Sequence, residues 1–296
     1  MARKIGRFEN EQARQTYLAA YAALEAVSPQ PAETTEIATS FGSTHVRRYG
    51  SGVGTPMVLL HPFGGTGLYW SAVVEDLCRD RVVFAPDTLG TAGRSVQTAP
   101  IRGEADFAAW FDELMAGLGV ERAHVLGLSQ GAWHGALVAT RAPGRVASLT
   151  LIEPNGVVTK MKWRVLLKIM RLGMNPSDEN WKKMTAWVTP GVTLRDEEIA
   201  CARASLGYRT RLGWARVLRD DELRALGVPL LALFGGDSVA CDPARARERL
   251  TALVPRAEIE VYPGTGHGVL DQIPGELVAR VLAFVRRHDQ QPAPSR

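Results

Sequence analysis

Cysteine is scarce in this chain of 296 residues, and long apolar runs are absent. Three cysteines, Cys78, Cys201 and Cys241, are too few and too widely spaced for a disulfide framework, and they fit a reducing compartment. No apolar stretch approaches the roughly 20 residues that a membrane-crossing helix needs. The first residues, Met1-Ala2-Arg3-Lys4, are not followed by the apolar segment of a secretory signal. We therefore expect a cytoplasmic protein with no membrane partner.

An excess of one charge sign is also missing. The formal net charge is only +4, and the basic residues are dispersed without an interleaved aromatic stripe, which argues against a nucleic-acid partner. No cluster of metal ligands and no dinucleotide fingerprint stands out, so we expect neither a metal nor a cofactor. What the chain does have is 46% hydrophobic residues, enough for one large core or two small ones.

Short apolar segments alternate with helical patterns over most of the chain. Strands are predicted over residues 44–49, 57–60, 82–86, 124–126, 148–153, 230–234 and 258–262. Helical segments are predicted near residues 68–78, 104–118, 132–141, 243–253 and 274–288. Such alternation is typical of an α/β fold, in which helices cover both faces of a mostly parallel sheet.

Breaks in this alternation divide the chain into segments. Residues 1–35 are predicted to form an N-terminal helix and a linker, and this helix is a candidate contact if the protein is a dimer rather than a monomer. The α/β core is expected over 36–155 and 219–288. Residues 156–218 turn helical and irregular, which favours a helical cap over the active site. The end of the chain, 289–296, is predicted to be disordered.

A nucleophile motif stands between one predicted strand and the following helix. The sequence there is Gly127-Leu128-Ser129-Gln130-Gly131. In a Gly-x-Ser-x-Gly elbow the serine lies at the apex of a tight turn, and the glycines remove Cβ atoms that would clash. The buried strand before the motif and the helix after it are the context that the elbow requires, so we predict Ser129 to be the nucleophile.

A serine needs a base, and His267 is the best candidate among six histidines. It lies in the glycine-rich loop 263–268, after the last predicted strand, and such loops carry the chemistry of α/β folds. His124 and His134 are expected to be structural. His61 belongs to Leu59-Leu60-His61-Pro62-Phe63-Gly64-Gly65-Thr66-Gly67, a loop of the type that supplies backbone N–H groups to an oxyanion hole. The predicted oxyanion donors are the N–H groups of Phe63 and Gln130.

Together these motifs resemble the α/β-hydrolase superfamily, in its compact esterase- and lactonase-like branch. The His-Pro-Phe-Gly-Gly loop, the turn from Asp87 to Ser95, the elbow and the terminal Gly-His follow one another in the family's order over residues 41–287. The resemblance implies an α/β-hydrolase fold, with a cap inserted after the strand that follows the elbow. It also implies a Ser-His-acid triad, but no particular substrate.

The triad acid is the point at which the chain departs from the family pattern. In the family the acid usually lies three residues beyond a Gly that follows the strand. Here the strand at 230–234 is followed by Gly235, and the expected position holds Ser238. Asp237 is one residue early, and a shift of one position in an extended segment turns the side chain away. Some family members place the acid at the end of the strand that follows the elbow, where this chain has Glu153. A carboxylate ending an apolar strand needs a partner, and His267 is suitable. We favour Glu153 and keep Asp237 as the alternative.

The expected activity is that of a serine hydrolase. Ser129 would attack a carboxylic ester, lactone or thioester of a small apolar molecule and form an acyl-enzyme. A second hypothesis is a lyase of the same fold, which would expel a small carboxylate such as acetate from a biosynthetic intermediate. A third is a non-catalytic binding protein. The fold hosts several reactions, so fold alone does not choose among these hypotheses.

Overall fold

A computed structural model describes residues 5–154, 156–174 and 177–289 of the chain. The strands in this part are β1 (Arg7–Phe8), β2 (Glu33–Thr39), β3 (Gly42–Tyr49), β4 (Gly54–Leu60), β5 (Arg81–Pro86), β6 (Val96–Gln97), β7 (Ala123–Leu128), β8 (Val146–Ile152), β9 (Tyr208–Arg209), β10 (Leu230–Gly235) and β11 (Glu258–Tyr262). The α-helices are α1 (Glu11–Ala26), α2 (Val74–Leu77), α3 (Glu104–Gly117), α4 (Gln130–Arg141), α5 (Trp163–Met174), α6 (Asp178–Val188), α7 (Asp196–Ala204), α8 (Asp220–Arg224), α9 (Pro243–Leu253), α10 (Val269–Gln272) and α11 (Pro274–Arg286). Short 3₁₀ helices cover Gly67–Ala72, Pro143–Arg145 and Ser205–Gly207.

One large sheet organises the described residues. Its strand order is β11-β10-β8-β7-β4-β5-β3-β2, and β6 pairs with β3. Neighbouring strands from β11 to β5 are parallel, whereas β2, β5 and β6 pair with β3 in antiparallel fashion. The expectation of a mostly parallel sheet flanked by helices is therefore confirmed.

The central strands are apolar because both of their faces are covered. Every residue of β7, β8 and β10 is buried, as expected for strands that carry helices on both sides. One apolar layer contains Trp110 of α3 and Leu137 of α4, and the opposite layer contains Trp70 and Phe284. The sheet thereby holds the carboxyl ends of its parallel strands at one rigid edge.

Helices α5, α6 and α7 are inserted between β8 and β10, within the segment expected to be a cap. The N-terminal helix α1 packs beside this insertion. Its Tyr17 and Tyr21 are fully buried in an apolar cluster with Cys201 of α7 and Leu68 of the core. The division of the chain into core and cap stays a prediction.

Two expectations about the ends of the chain need correction. Residues 33–35, expected in a linker, belong to β2, which pairs antiparallel with β3 and buries Ile37. Asp289, expected to begin a disordered tail, accepts hydrogen bonds from Arg81 and His124 at 2.8 and 3.0 Å, and these contacts fix it. Residues 290–296, the rest of the predicted tail, lie outside the described residues.

A buried ionic network fastens α1 to the sheet. Arg47 of β3 and Asp87, which directly follows β5, are both fully buried and pair at 3.4 Å. The hydroxyl of Tyr21 donates to Asp87 Oδ2 at 2.8 Å and accepts from the Arg47 guanidinium. Arg47 also donates to Glu25 at 2.7 Å. The helix is therefore held by charge as well as by apolar packing.

Asp87 stays ionised because four donors replace its water. Burial raises the pKa of its carboxyl, but Arg47 and the backbone N–H groups of Gly67 and Arg94 outweigh burial and hold the pKa below its usual value of 3.8. A depressed carboxyl pKa stabilises the fold above the unfolded-state pKa, and this stabilisation is lost as the pH falls below it.

We predict that Arg47→Met lowers the free energy of unfolding by about 3 kcal/mol, because it leaves the Asp87 carboxylate buried without a counter-ion. The measurement is urea denaturation at pH 7. Arg94→Met is the matched control, because the Arg94 side chain pairs with Glu25 nearer the surface. The backbone N–H of residue 94 still donates to Asp87 in this variant. Its loss is expected to stay below about 1 kcal/mol. Equal losses in both variants would contradict this account.

Candidate active site

The nucleophile motif forms a sharp turn between β7 and α4. Ser129 lies at the apex with φ 54° and ψ −112°. A Cβ on Gly127 would lie 2.2 Å from the carbonyl oxygen of Gly131, and a Cβ on Gly131 would lie 1.9 Å from that of Leu60. Both glycines are therefore required by close backbone approach. The backbone N–H of Ser129 donates to the carbonyl of Ile152 at 3.0 Å, which joins the turn to the end of β8.

The glycine-rich loop after β4 lies directly against this turn. Gly131 touches the carbonyl oxygens of Leu60 and His61, so the two predicted oxyanion donors, Phe63 and Gln130, belong to loops in contact. Gln130 is the first residue of α4, and the first N–H groups of a helix have no acceptor within the helix. This N–H is therefore available to an anion, as an oxyanion hole requires.

His61 is fixed by the loop rather than exposed as a base. Its Nε2 accepts from the backbone N–H of Thr88 at 3.0 Å, which places the proton on Nδ1, within 2.9 Å of the carbonyl of Pro62. Burial lowers the pKa of His61, so the ring stays neutral at pH 7.

His267 follows β11 and contacts a carboxylate. Its Nδ1 lies 2.8 Å from Oε2 of Glu153, which directly follows β8. The Glu153 side chain is fully buried, whereas that of His267 is partly accessible. Because β8 and β11 are parallel members of one sheet, their carboxyl ends bring these two residues together.

Two further donors hold the Glu153 carboxylate. The backbone N–H of Gly235 donates to Oε1 at 2.7 Å, and the Ser238 hydroxyl donates to Oε2 at 2.6 Å. The Cys241 thiol lies 3.8 Å from Oε2, and burial together with Glu153 raises the pKa of this thiol to about 12. Hydrogen bonds to the charged form are what an ionised carboxylate needs in a dry site.

Glu153 also has an unusual backbone. Its φ is 47°, and within the described residues it shares a positive φ with only one other non-glycine residue, Ser129. Backbone strain of this kind costs about 1–3 kcal/mol and concentrates at functional sites. The coincidence of the two strained positions with the predicted nucleophile and acid marks this edge of the sheet as the candidate active site.

Asp237, the alternative acid, is oriented differently. Its backbone N–H donates to the carbonyl of Thr265 at 2.8 Å, and its side chain is exposed to solvent. Ser238, one residue later, points inward to Glu153. The geometry thus brings Glu153, and not Asp237, to the imidazole of His267.

His124 and His134 take structural positions. His124 lies between the Ser148 hydroxyl, at 2.7 Å, and Asp289, and burial lowers its pKa to about 4. His134 stacks on Phe107 with ring centroids 4.5 Å apart, and burial lowers its pKa to about 3.

A mostly apolar cavity of about 100 Å³ adjoins the oxyanion loop. Phe63 and Gln130 contribute to its wall, and the segment after α7 contributes Leu206, Leu212 and Trp214. The rings of Phe63 and Trp214 are 5.3 Å apart. Ser129 itself is not part of this wall, so the cavity lies beside the nucleophile, on the side of the predicted oxyanion donors.

Sequence reasoning missed several of these residues. Ser238 was recognised only as an unexpected occupant of the acid position, although hydrogen bonding to a displaced acid would explain its hydroxyl. Leu212 and Trp214 reach the cavity through folding of the insertion, and no motif announces their position.

Comparison with known proteins agrees with this description. A profile of the alpha/beta hydrolase fold matches residues 55–182. The carboxylesterase YbfK of Bacillus subtilis is 27% identical over 272 residues, which cover 87% of this chain and 89% of that protein. An uncharacterized carboxylesterase, nap, of the same organism is 28% identical over 84% of this chain and 85% of its own length. The crystal structure of naproxen esterase from Bacillus subtilis superimposes with a TM-score of 0.86, at 26% identity, over 93% of this chain and 99% of that one.

We predict that Gly131→Ala destabilises the protein by about 3 kcal/mol, because the added methyl group collides with the Leu60 carbonyl and separates the elbow from the neighbouring loop. The measurement is the urea midpoint, together with soluble yield. Gly144→Ala is the control, since its Cβ would meet nothing within 4 Å, and a change within about 0.5 kcal/mol is expected. A Gly131→Ala protein as stable as the control would refute the close approach.

Proposed function

Because the chain belongs to the α/β-hydrolase superfamily, we propose that it is a carboxylic ester hydrolase with Ser129, His267 and Glu153 as its catalytic triad. The observation that carries this proposal is the 2.8 Å contact between His267 Nδ1 and the buried carboxylate of Glu153. It lies at the same sheet edge as the strained serine. The similarity to carboxylesterases over most of the chain supports the same reaction class.

Under this proposal the Ser129 hydroxyl attacks the carbonyl carbon of the ester while His267 Nε2 takes its proton. His267 then returns the proton to the leaving alkoxide, and the alcohol departs. A water molecule, deprotonated by the same imidazole, attacks the resulting acyl-enzyme and releases the carboxylic acid.

Glu153 has an orienting role in this mechanism. Its carboxylate holds the proton of His267 on Nδ1, so that Nε2 can accept the proton of the serine, and it stabilises the imidazolium that forms. The donors from Gly235 and Ser238 fix the two oxygens of Glu153. The carboxylate therefore has little freedom to rotate away from the imidazole.

The backbone N–H groups of Phe63 and Gln130 are proposed to stabilise the oxyanion. Preorganised donors stabilise the negative charge that develops in the transition state. Removal of one such donor costs about 3–4 kcal/mol of this stabilisation. The close approach of Gly131 to the Leu60 carbonyl keeps the two loops that carry these donors next to each other. The adjacent cavity suits a small apolar group of the ester, because Phe63, Leu206 and Leu212 contribute to its walls.

We predict that a fluorophosphonate forms a single covalent adduct with the wild-type protein and none with Ser129→Ala. The reagent reports a serine that is activated by a base beside an oxyanion hole. Intact-mass measurement on both proteins, with matched circular dichroism spectra, tests this. Absence of the adduct from folded wild-type protein would overturn the proposed nucleophile.

Product analysis separates hydrolysis from the elimination that the sequence left open. Incubation of an acetylated apolar alcohol in H₂¹⁸O is expected to give the free alcohol and acetate carrying the label, because water attacks the acyl-enzyme. An alkene with unlabelled acetate would instead identify a lyase.

We predict that Glu153→Gln lowers kcat by about 10⁴-fold, because the amide no longer fixes the imidazole in its productive tautomer. Asp237→Asn is the matched control, since it removes the nearby exposed carboxylate. We expect its kcat to stay within about twofold of wild type, as for a surface substitution away from the reacting groups. Steady-state kinetics on a soluble activated ester provide the measurement. A greater loss in Asp237→Asn would reassign the acid.

A further inference from the structure

Helix α5 exposes an apolar stripe to solvent. Its four members have exposed fractions of 40–66% and are spaced at i, i+3, i+4 and i+7; they are Trp163, Leu166, Leu167 and Met170. This spacing places them on one face of the helix. Val165, on another face, is buried. Four of the nine exposed large apolar side chains in the described part of the chain therefore fall within eight residues, whereas single exposed apolar residues are ordinary.

Basic residues are clustered in the segment that contains this stripe, although over the whole chain they are dispersed. Residues 160–183 contain seven basic and two acidic residues, a net charge of +5, whereas the entire chain carries +4. A helix turns by about 100° per residue, so Arg164, Lys168 and Arg171 lie on a single flank of the stripe. The rest of the chain is close to neutral, so the positive charge is concentrated in residues 160–183, the segment that contains this helix.

The start of α5 is fastened beside the candidate active site. Lys162 donates from its backbone N–H to the carbonyl of Ala240 at 3.3 Å and from Nζ to the carbonyl of Ser238 at 3.2 Å. Ser238 in turn contacts Glu153. The residue that precedes the exposed stripe is thus connected to the acid of the proposed triad by two hydrogen bonds, through Ser238.

We propose that α5 docks on an anionic lipid surface. An amphipathic helix with tryptophan and leucine on one face and lysine or arginine beside them lies in the plane of a membrane interface. Each basic residue near an anionic leaflet adds about 1 kcal/mol of attraction. The net charge of the segment selects an anionic lipid, because a neutral surface offers the basic flank nothing. Docking would place the active-site edge at the source of apolar esters.

This inference departs from the sequence-based expectation of no membrane partner, which weighed a membrane contact of the basic and apolar helix at 161–172 and favoured a solvated lid face. Within the described residues no helix is long and apolar enough to cross a membrane. Surface docking needs no such span, since the helix buries only one face in the headgroup region.

The test measures binding of the full-length protein to vesicles of ether-linked phosphatidylglycerol, with ether-linked phosphatidylcholine vesicles as the neutral comparison. Ether-linked lipids contain no ester bond, so the readout does not depend on catalysis. Cosedimentation with the anionic vesicles alone is expected, together with its loss at 1 M salt, where charges are screened within about 3 Å. Wild-type protein that ignores anionic vesicles would overturn the proposal.

The decisive variant is Leu166→Glu/Met170→Glu, which places two carboxylates in the stripe at exposed positions. Binding to anionic vesicles is expected to weaken at least about tenfold, because apolar burial and charge attraction are both reduced. Val53→Glu/Val96→Glu is the matched control, since it adds the same charge at exposed apolar residues elsewhere. Equal weakening by both double variants would reduce the effect to net charge and reject α5 as the docking element.

A second readout separates this proposal from the proposed function. The Leu166→Glu/Met170→Glu protein is expected to hydrolyse a dissolved short-chain ester at the wild-type rate. It is also expected to lose activity on an apolar ester carried in anionic vesicles. If neither ester is hydrolysed by any form, the proposed function fails while the binding result stands. Gel filtration that shows dimers dissociated by the substitutions would identify the stripe as a subunit contact and overturn lipid docking.

Discussion

The buried carboxylate of Glu153 is the group on which the candidate active site depends. An ionised carboxylate without water is strongly unfavourable unless hydrogen-bond donors replace its solvation. The donors come from separate segments: Gly235 and Ser238 belong to the end of β10 and the loop after it, and His267 to the loop after β11. Because each donor reaches the same pair of oxygens, solvation of the carboxylate also fixes these segments to one another.

The same edge of the sheet stores backbone strain. Ser129 and Glu153 both have positive φ, and they occupy the ends of the neighbouring strands β7 and β8. Their N–H groups donate to Ile152 and Leu233, carbonyls of strands in the same sheet. The parallel hydrogen-bond ladder thus holds each residue in a conformation that an isolated turn would abandon. Rigid strands below the site permit a strained arrangement above it.

Local patterns in the sequence were sufficient to predict the fold class and the elbow. They were not sufficient to predict the features that depend on contacts between distant residues. Gly127 and Gly131 around a serine, between a predicted strand and a predicted helix, indicate a tight turn. The choice between Glu153 and Asp237 depends on backbone direction at the two strand ends, and that direction is set by pairing in the sheet. Strand β2 was missed for the same reason, since its pairing with β3 is what makes it a strand.

Helix α5 shows a different limit of sequence reasoning. An apolar stripe at helical spacing fixes which residues share a face, but it carries no information on whether that face meets the core or the solvent. Among the side chains of α5 that the structure describes, Val165 is buried, whereas the four members of the stripe face outward. Such an exposed face costs free energy in water, and covering it recovers that free energy. Lys162 ties the start of this helix to Ser238. Whatever covers the stripe therefore acts on a segment that is hydrogen-bonded to Ser238, a residue that contacts the acid of the proposed triad.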